Sequence, residues 1–324
     1  DIRFTRNKTN TVLYATVLGW PGTSLTIKTL NSARIDVSSL QSVQLLNSTA
    51  GTYVNLAAPA QGPSGLTVTL PSSSAPFAAN AYVLKLTFTG QIPGLRPAAG
   101  AVAFQDVNYS GTGTVLEIGD HTADELTLAG LTPRTLSSLR LAPGHQVIGY
   151  SGDNFTGTAW TFTADNADLR NTGNNDAVTS LKVQFNPSAY FQVVNVTDGL
   201  ALDSGGNVAS GSNLKQWTWD GSPNLQWQAV EVGGGYYKLV NRTNGMVADG
   251  WGGTADGSPA RQAAWNGGTN QQWLITHRGD GRHSIANRTT GLVLDGGGNV
   301  SSGSVTKQWT YGSSTNLLWT FTAL

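Results

Sequence analysis

Carboxylate, amide and indole side chains recur together every 46 residues between Pro187 and Leu324. A carboxylate can accept hydrogen bonds from hydroxyls on adjacent sugar carbons, and an indole can cover the apolar C–H face of a sugar ring. This combination is therefore suited to holding a polyhydroxylated ligand. The positions in register are Asn195, Asn241 and Asn287; Asp203, Asp249 and Asp295; Gln216, Gln262 and Gln308; and Trp227, Trp273 and Trp319.

The repeated unit predicts a closed all-β domain with threefold symmetry. Each copy has four short apolar runs separated by glycine-rich turns, too few to bury a core alone. Three copies around one axis, with about twelve short strands, would bury a core and leave no exposed sheet edge. A solenoid is the alternative, but it would need capping repeats and none is visible. The strands expected in the first copy are Phe191–Asn195, Leu200–Asp203, Leu214–Trp219 and Leu225–Val230.

The end of each copy resembles the Gln-x-Trp signature of ricin-B-type β-trefoil lectins, also called family-13 carbohydrate-binding modules. The strings are Asn224-Leu225-Gln226-Trp227, Asn270-Gln271-Gln272-Trp273 and Asn316-Leu317-Leu318-Trp319. Members of that family bind sugars in one shallow pocket per copy. The pocket uses an Asp, an aromatic platform and the Asn-Gln that precedes the signature Trp.

The resemblance implies three candidate sugar sites. The first copy would use Asp203, Trp217 and Asn224, and the third copy Asp295, Trp309 and Asn316. The second copy would use Asp249, Asn270 and Gln271. Its platform position holds Ala263, with Trp251 and Trp265 as candidate substitutes. The alternative is that the Asp residues only cap turns. The three signature Trp residues are expected to fill the core in either case.

Residues 1–98 predict a two-sheet β-sandwich. Short runs of alternating apolar and polar residues are punctuated there by glycine and proline. The strings Val12–Ala15, Leu18–Gly22 and Ala81–Leu86 resemble the C-terminal β-domain of family-29 α-L-fucosidases. In that family a preceding (β/α)8 barrel carries the catalytic carboxylates, and we find no such barrel in this sequence. Trp20 is expected in the core or between domains.

Catalysis by the sandwich is not expected. Glycoside hydrolysis needs two carboxyl groups facing each other across the scissile bond. Residues 1–98 contain only Asp1 and Asp36, and they contain no histidine to activate a hydroxyl nucleophile. We therefore predict no catalytic residue in this chain.

Residues 99–186 contain a second duplication. Phe104, Tyr109 and Gly111 in the first half have the same spacing as Tyr150, Phe155 and Gly157 in the second. Two halves with four strand-like runs each imply paired Greek keys and resemble a βγ-crystallin domain. The resemblance covers the whole segment.

The resemblance to calcium-binding βγ-crystallins implies at most one Ca²⁺ site. The family pattern is two Asn/Asp residues, two of any type, then Ser/Thr-Ser. Asn175, Asp176 and Thr179 fit this pattern, whereas Pro133 and Arg134 replace the pair in the first half. Calcium requires six to eight oxygen ligands, so these residues would supply part of a shell. The alternative is that Ser137, Ser138, Thr179 and Ser180 only tie the Greek-key loops together.

Composition gives no support for several other functions. Charged residues make up 12% of the chain and the formal net charge is zero, which gives no electrostatic case for nucleic acid or anionic membranes. The chain has no cysteine for disulfides or thiol chemistry. The four histidines have no metal-ligand spacing, and the glycine runs lack the Lys-Ser/Thr of phosphate loops.

Charge changes along the chain coincide with two Pro/Gly-containing stretches. Residues 1–98 carry a formal charge of +5 and residues 99–186 carry −5. The changes fall at Ile92–Gly100 and at Asn186–Ser188, so we expect domains at 1–98, 99–186 and 187–324. Asp1 leads directly into a strand-like run, so the chain is expected to be cut from something longer.

These features predict the accessory region of a secreted α-L-fucosidase that binds carbohydrate without catalysis. Its expected partners are galactose- or fucose-containing glycans and the catalytic (β/α)8 domain, with no cofactor beyond the one Ca²⁺. Two alternatives stay open. The chain could be a spacer that buttresses the barrel without binding sugar, or a free-standing multivalent lectin.

Overall fold

The computed structural model describes residues 2–32, 35, 37–47, 50–62, 64–71, 81–94, 96–206, 208–298 and 300–324. The chain divides into two compact units, Asp1–Arg96 and Pro97–Leu324. Asp1 and Asp36, the carboxylates considered for catalysis, lie outside the described residues. Within the described ranges, no helix is long and apolar enough to cross a bilayer.

The first unit is a two-sheet β-sandwich, as predicted. One sheet has the strand order Ile2–Arg6, Val12–Leu18, Ala81–Phe88, Leu40–Asn47 and Thr52–Asn55. The other has the order Ser24–Ile27, Gly65–Thr69 and Ala60–Gly62, with a 3-10 turn at Lys28–Leu30. Ala81–Phe88 buries every second residue because only one of its faces points into the core. Trp20 packs against this core, with its ring 4.8 Å from that of Tyr82.

The second unit begins with the predicted pair of Greek keys. One sheet has the order Ser110–Leu116, Ala101–Asp106 and Ser138–Leu141. The other has the order Gly119–His121, Ser180–Phe185, His145–Tyr150 and Ala159–Phe162, and 3-10 turns lie at Val107–Tyr109 and Leu169–Thr172. The halves exchange strands: Gly119–His121 pairs with the second half, and Asn166 bridges to Leu139 in the first.

A short α-helix, Ala123–Ala129, lies in the first half and was not predicted. Thr122 and Glu125 form a reciprocal capping box at its start, and Gly130 ends it in the left-handed conformation. Leu126 is its buried residue. The Thr-x-x-Glu spacing was the available signal in the sequence, although one apolar turn gives little periodicity to support it.

The last part of the second unit is a closed six-stranded barrel with threefold symmetry, as predicted. Its wall follows the order Phe191–Asn195, Gln226–Glu231, Tyr236–Asn241, Trp273–His277, Arg282–Asn287 and Trp319–Ala323, and the last strand pairs with the first. Three hairpins complete the trefoil: Ala201–Asp203 with Lys215–Trp217, Val247–Asp249 with Arg261–Ala263, and Val293–Asp295 with Lys307–Trp309. Ser258–Pro259 adds a short bridge, and 3-10 turns lie at Pro223–Leu225, Thr269–Gln271 and Thr315–Leu317.

The three signature Trp residues form the trefoil core, as expected. Trp227, Trp273 and Trp319 are fully buried. Each indole N–H donates to a hairpin carbonyl of its own copy, at 2.9, 2.9 and 3.0 Å respectively; the acceptors are Leu202, Ala248 and Leu294. Each Trp therefore fixes a hairpin to the barrel while filling the core.

An aromatic cluster joins the Greek-key part to the barrel within the second unit. Phe185 ends the last Greek-key strand, yet it lies fully buried in the barrel core. Its ring centroid lies 5.3 Å from that of Phe191 and 5.4 Å from that of Tyr237. His145 and His283 also border Phe185, with ring centroids 4.7 and 6.0 Å away.

Burial keeps the histidines of this cluster uncharged at neutral pH. It lowers the pKa of His145 to about 4 and that of His283 to about 3. Both ring nitrogens of His283 are buried without a hydrogen-bond partner among the described residues, so a proton there would be uncompensated. His277 lies 5.2 Å away between ring centroids, and its Nδ1 is 2.7 Å from Oε2 of Glu117.

We predict that His283→Phe reduces the acid sensitivity of folding. A histidine with a lowered native pKa costs stability once the pH falls below the unfolded value near 6.5, because the unfolded state then binds more protons. Between pH 7 and 4.5 this loss is roughly 2–3 kcal/mol for His283, and the variant should avoid it. Urea unfolding at several pH values measures the effect. Parallel profiles for the two proteins would contradict it.

Candidate functional site

Each trefoil hairpin presents its Asp and its platform position on one face. Asp203 pairs with Lys215, and Ala201 pairs with Trp217. Side chains two residues apart on a strand share a face, so Asp203 and Trp217 are diagonal neighbours. The third hairpin has the same register, with Asp295 opposite Lys307 and Trp309 two residues further on.

In the first copy, Asp203 is oriented by two hydrogen bonds to one of its oxygens. Its Oδ1 accepts from Nδ2 of Asn224 and from the backbone N–H of Gly205, both at 2.7 Å. Asn224 sits in a 3-10 turn, and this turn brings it against the hairpin. Trp217 is 43% exposed beside this pair. The first copy therefore brings Asp203, Trp217 and Asn224 together, with Trp217 exposed and Asp203 only 4% exposed.

The third copy repeats this geometry around a depression of about 490 Å³. Oδ1 of Asp295 accepts from Nδ2 of Asn316 at 2.6 Å and from the N–H of Gly297 at 2.7 Å. Trp309 lines the depression and is 43% exposed. In both copies, no group in the described part of the chain donates to Oδ2 of the Asp, although Asp203 and Asp295 are only 4% and 3% exposed.

The second copy keeps the Asp–Asn hydrogen bond, but its Asp also accepts a hydrogen bond from a buried glutamine. Oδ1 of Asp249 accepts from Nδ2 of Asn270 and from the N–H of Trp251, both at 2.6 Å. Gln271 is fully buried, and its Nε2 donates to Oδ2 of Asp249 at 3.1 Å. Gln271 therefore supports the carboxylate from below and does not reach the surface. Ala263, at the platform position, is 6% exposed.

Each site is held in place by the next copy of the repeat. Nδ2 of Asn241 donates to the carbonyl of Asn224 at 2.9 Å, and Nε2 of Gln262 donates to the carbonyl of Ser204. The second site is held by Asn287 and Gln308, and the third by Asn195 and Gln216. The 46-residue register identified these amides, but their role in fixing neighbouring sites required the fold.

The residues predicted for calcium lie together in one Greek-key loop. Nδ2 of Asn175 donates to Oδ2 of Asp176 at 2.6 Å, while Oδ1 of Asn175 is buried without a partner in the described structure. Thr179 donates its hydroxyl to the carbonyl of Ser151 at 2.8 Å. Among the described residues, no group of three or more His, Cys, Asp or Glu could hold a metal. Any site here therefore depends on the single Asp176 carboxylate together with amide, hydroxyl and carbonyl oxygens.

The serines of the two halves tie the Greek-key loops, as the alternative interpretation expected. Oγ of Ser138 accepts from the N–H of Tyr109, and Oγ of Ser180 accepts from the N–H of Phe155, both at 3.0 Å. Arg134 and Asp176 occupy equivalent left-handed positions, with φ of 63° and 55°. At this position the two loops therefore share the left-handed conformation and differ in charge.

Comparison with known families supports the resemblances of the two ends of the chain. Residues 1–87 match the model of the alpha-L-fucosidase C-terminal domain. Residues 179–263, 232–309 and 269–324 match the model of the ricin-type beta-trefoil lectin domain-like family. These matches confirm both resemblances and indicate a carbohydrate-binding accessory region. A comparison with curated proteins gave no match.

Solved structures are similar to two parts of the second unit. The designed threefold-symmetric protein ThreeFoil is 35% identical over 42% of this chain and 99% of its own, with a TM-score of 0.41. A βγ-crystallin domain from Flavobacterium johnsoniae is 38% identical over 27% of this chain and 97% of its own, with a TM-score of 0.26. One from Clostridium beijerinckii is 36% identical over 26% and 95%, with a TM-score of 0.25.

Proposed function

We propose that this chain, which joins a fucosidase-type sandwich to a ricin-type trefoil, binds glycans without catalysis as the accessory region of a secreted α-L-fucosidase. The observation that carries the proposal is the pairing of an oriented carboxylate with an exposed indole in two copies. Asp203 lies beside Trp217, and Asp295 beside Trp309. The missing partner would be a catalytic (β/α)8 domain, which the trefoil would keep near glycan substrates.

The electrostatics of these sites suit neutral sugars. Asp203 and Asp295 each have one oxygen fixed by protein donors and the other without a donor among the described residues, so adjacent sugar hydroxyls would donate charge-assisted hydrogen bonds to the second oxygen. The neighbouring indole covers the C–H face of the same sugar ring. A shallow site with so few groups should bind a monosaccharide at about millimolar Kd, or about −4 kcal/mol. Several such sites on one body would gain affinity on a multivalent glycan.

The proposal predicts that Trp217→Ala and Trp309→Ala together weaken binding to a multivalent glycan at least about a hundredfold, because two platforms and their avidity are lost. Binding to polymers that display β-galactose or α-L-fucose, followed by surface plasmon resonance, measures the effect. Folding should be unchanged because both rings are 43% exposed.

Tyr53→Ala is the matched control, since Tyr53 is a 36% exposed aromatic residue in the sandwich unit. It should bind as the unmodified chain does. An unmodified chain that binds neither polymer, while associating tightly with a separately produced fucosidase barrel, would instead favour the spacer function.

We also propose one Ca²⁺ site in the second Greek-key half. Asn175 supports it, because its buried Oδ1 lacks a partner among the described residues and lies next to the Asp176 carboxylate. Asp176, Asn175 and the Thr179 hydroxyl would supply oxygens, and water would complete the shell. In the first half Arg134 brings a positive charge to the equivalent position, which opposes a second ion.

Calcium should therefore stabilise the unmodified chain and have no effect on Asp176→Asn. At fifty times the Kd, binding to the native state alone adds about 2.3 kcal/mol to the free energy of unfolding. Urea unfolding with CaCl₂, with MgCl₂ as the ionic control, measures this. Equal responses of the two proteins to calcium would rule the site out.

A further inference from the structure

The turn after the first strand of each trefoil copy carries a different polar side chain. The equivalent residues, 46 apart, are Asp198, Asn244 and Thr290. In the first two copies the side chain is fixed in the same way. Oδ1 of Asp198 accepts from the backbone N–H of Leu200, and Oδ1 of Asn244 accepts from that of Met246, both at 2.9 Å. The remaining terminal atom, an oxygen in Asp198 and an amide nitrogen in Asn244, therefore points to the same place in the two copies.

In the second copy this terminal atom is a donor between two acceptors. Nδ2 of Asn244 donates to Oε1 of Gln262 at 2.9 Å and to the carbonyl of Gly206 at 3.0 Å. Gln262 is a fully buried residue of the second copy, whereas Gly206 belongs to a loop of the first. The Asn244 amide therefore links a buried side chain to a loop of the neighbouring copy and satisfies both acceptors.

In the first copy the corresponding atoms are three oxygens. The threefold register places Gln216 and Gly298 around Asp198, and the φ of Gly298 is 82°, close to the 79° of Gly206. Gln216 is fully buried, and its amide is oriented because Nε2 donates to the carbonyl of Gly296 at 2.7 Å. Oε1 of Gln216 and Oδ2 of Asp198 are both buried without a hydrogen-bond partner among the described residues. Two acceptors thus meet where the second copy has a donor and an acceptor.

The charge of Asp198 makes this arrangement specific to the first copy. Burial raises the pKa of Asp198, whereas the hydrogen bond from Leu200 opposes the shift. The ordinary pKa of an aspartate is about 3.9 and Asp198 is only half-buried, so the carboxylate is the expected form at neutral pH. In the third copy, Oγ1 of Thr290 accepts from the N–H of Leu292 at 3.2 Å and brings no charge.

We propose that Asp198, Gln216 and the carbonyl of Gly298 bind a monovalent cation of the size of Na⁺. Carboxylate, amide and carbonyl oxygens are the ligands of hard cations, and buried charges in proteins are paired or coordinate metals. One carboxylate balances one positive charge, whereas Ca²⁺ takes six to eight oxygen ligands. Water would complete the shell from the exposed side of Asp198. The ion would link Gln216 to the loop of the neighbouring copy, as the Asn244 amide does in the second copy.

The proposal does not depend on glycan binding, and its readout is folding. Urea unfolding of the full chain at pH 7 is compared in sodium chloride and in choline chloride at one concentration of about 500 mM, with EGTA present to remove calcium. An ion that binds only the folded chain with a Kd of about 100 mM should raise the folding equilibrium constant about sixfold in the sodium salt. Choline supplies the same ionic strength but is too large for the site.

Two substitutions from the other copies should abolish the sodium response. Asp198→Asn supplies the amide donor of the second copy, so its urea midpoint in choline chloride should exceed that of the unmodified chain. Asp198→Thr reproduces the third copy and provides a second variant without the carboxylate. Asp280→Asn is the matched control, because it removes the same charge from an exposed trefoil turn whose φ of 52° asparagine tolerates. It should keep the full response.

Three results would overturn the proposal. The first is an equal urea midpoint of the unmodified chain in the two salts. The second is a full sodium response in Asp198→Asn, which would place the ion elsewhere. The third is a stability that falls equally in both salts as the pH rises from 5 to 8 and does not fall in Asp198→Asn. That result would assign the space to a proton shared between Asp198 and Gln216.

Discussion

The trefoil depends on buried amide side chains that cross from one copy of the repeat to the next. Asn241 and Gln262 of the second copy donate to the carbonyls of Asn224 and Ser204 of the first, and the other junctions repeat this pattern. A buried polar group without a hydrogen-bond partner costs free energy. Each copy therefore depends on its neighbour to hold its loops in place. No copy completes its own site. Closure of the barrel and formation of the three candidate sites are therefore coupled.

An aromatic cluster joins the Greek-key part to the barrel. Phe185 ends a Greek-key strand but fills the barrel core, and two buried histidines border it without charge. This junction is apolar, and it lies within one compact unit of the chain. Burial penalises the protonated form of both rings and lowers the pKa of each, so acid should weaken this junction.

Most of the fold could be predicted from the sequence. The 46-residue repeat predicts the threefold barrel, the alternation of apolar and polar residues predicts the sandwich, and the duplication in residues 99–186 predicts the paired Greek keys. The resemblance to ricin-B-type lectins also implied that Asp203 and Asp295 lie beside Trp217 and Trp309. Two features escaped prediction for physical reasons. The helix at Ala123–Ala129 is too short for periodicity to show. The ring of Trp251 lies against Gly211 of the neighbouring copy, and only the three-dimensional arrangement of the copies shows this.

The central claim is that the trefoil is a multivalent sugar-binding body. Its most direct test compares the affinity of the unmodified chain for a free monosaccharide with its affinity for a polymer displaying that sugar. We expect a Kd of about 1 mM for D-galactose or L-fucose and at least about a hundredfold tighter binding to one of the polymers. Absence of binding to both forms of both sugars, by a chain that is folded, would contradict it.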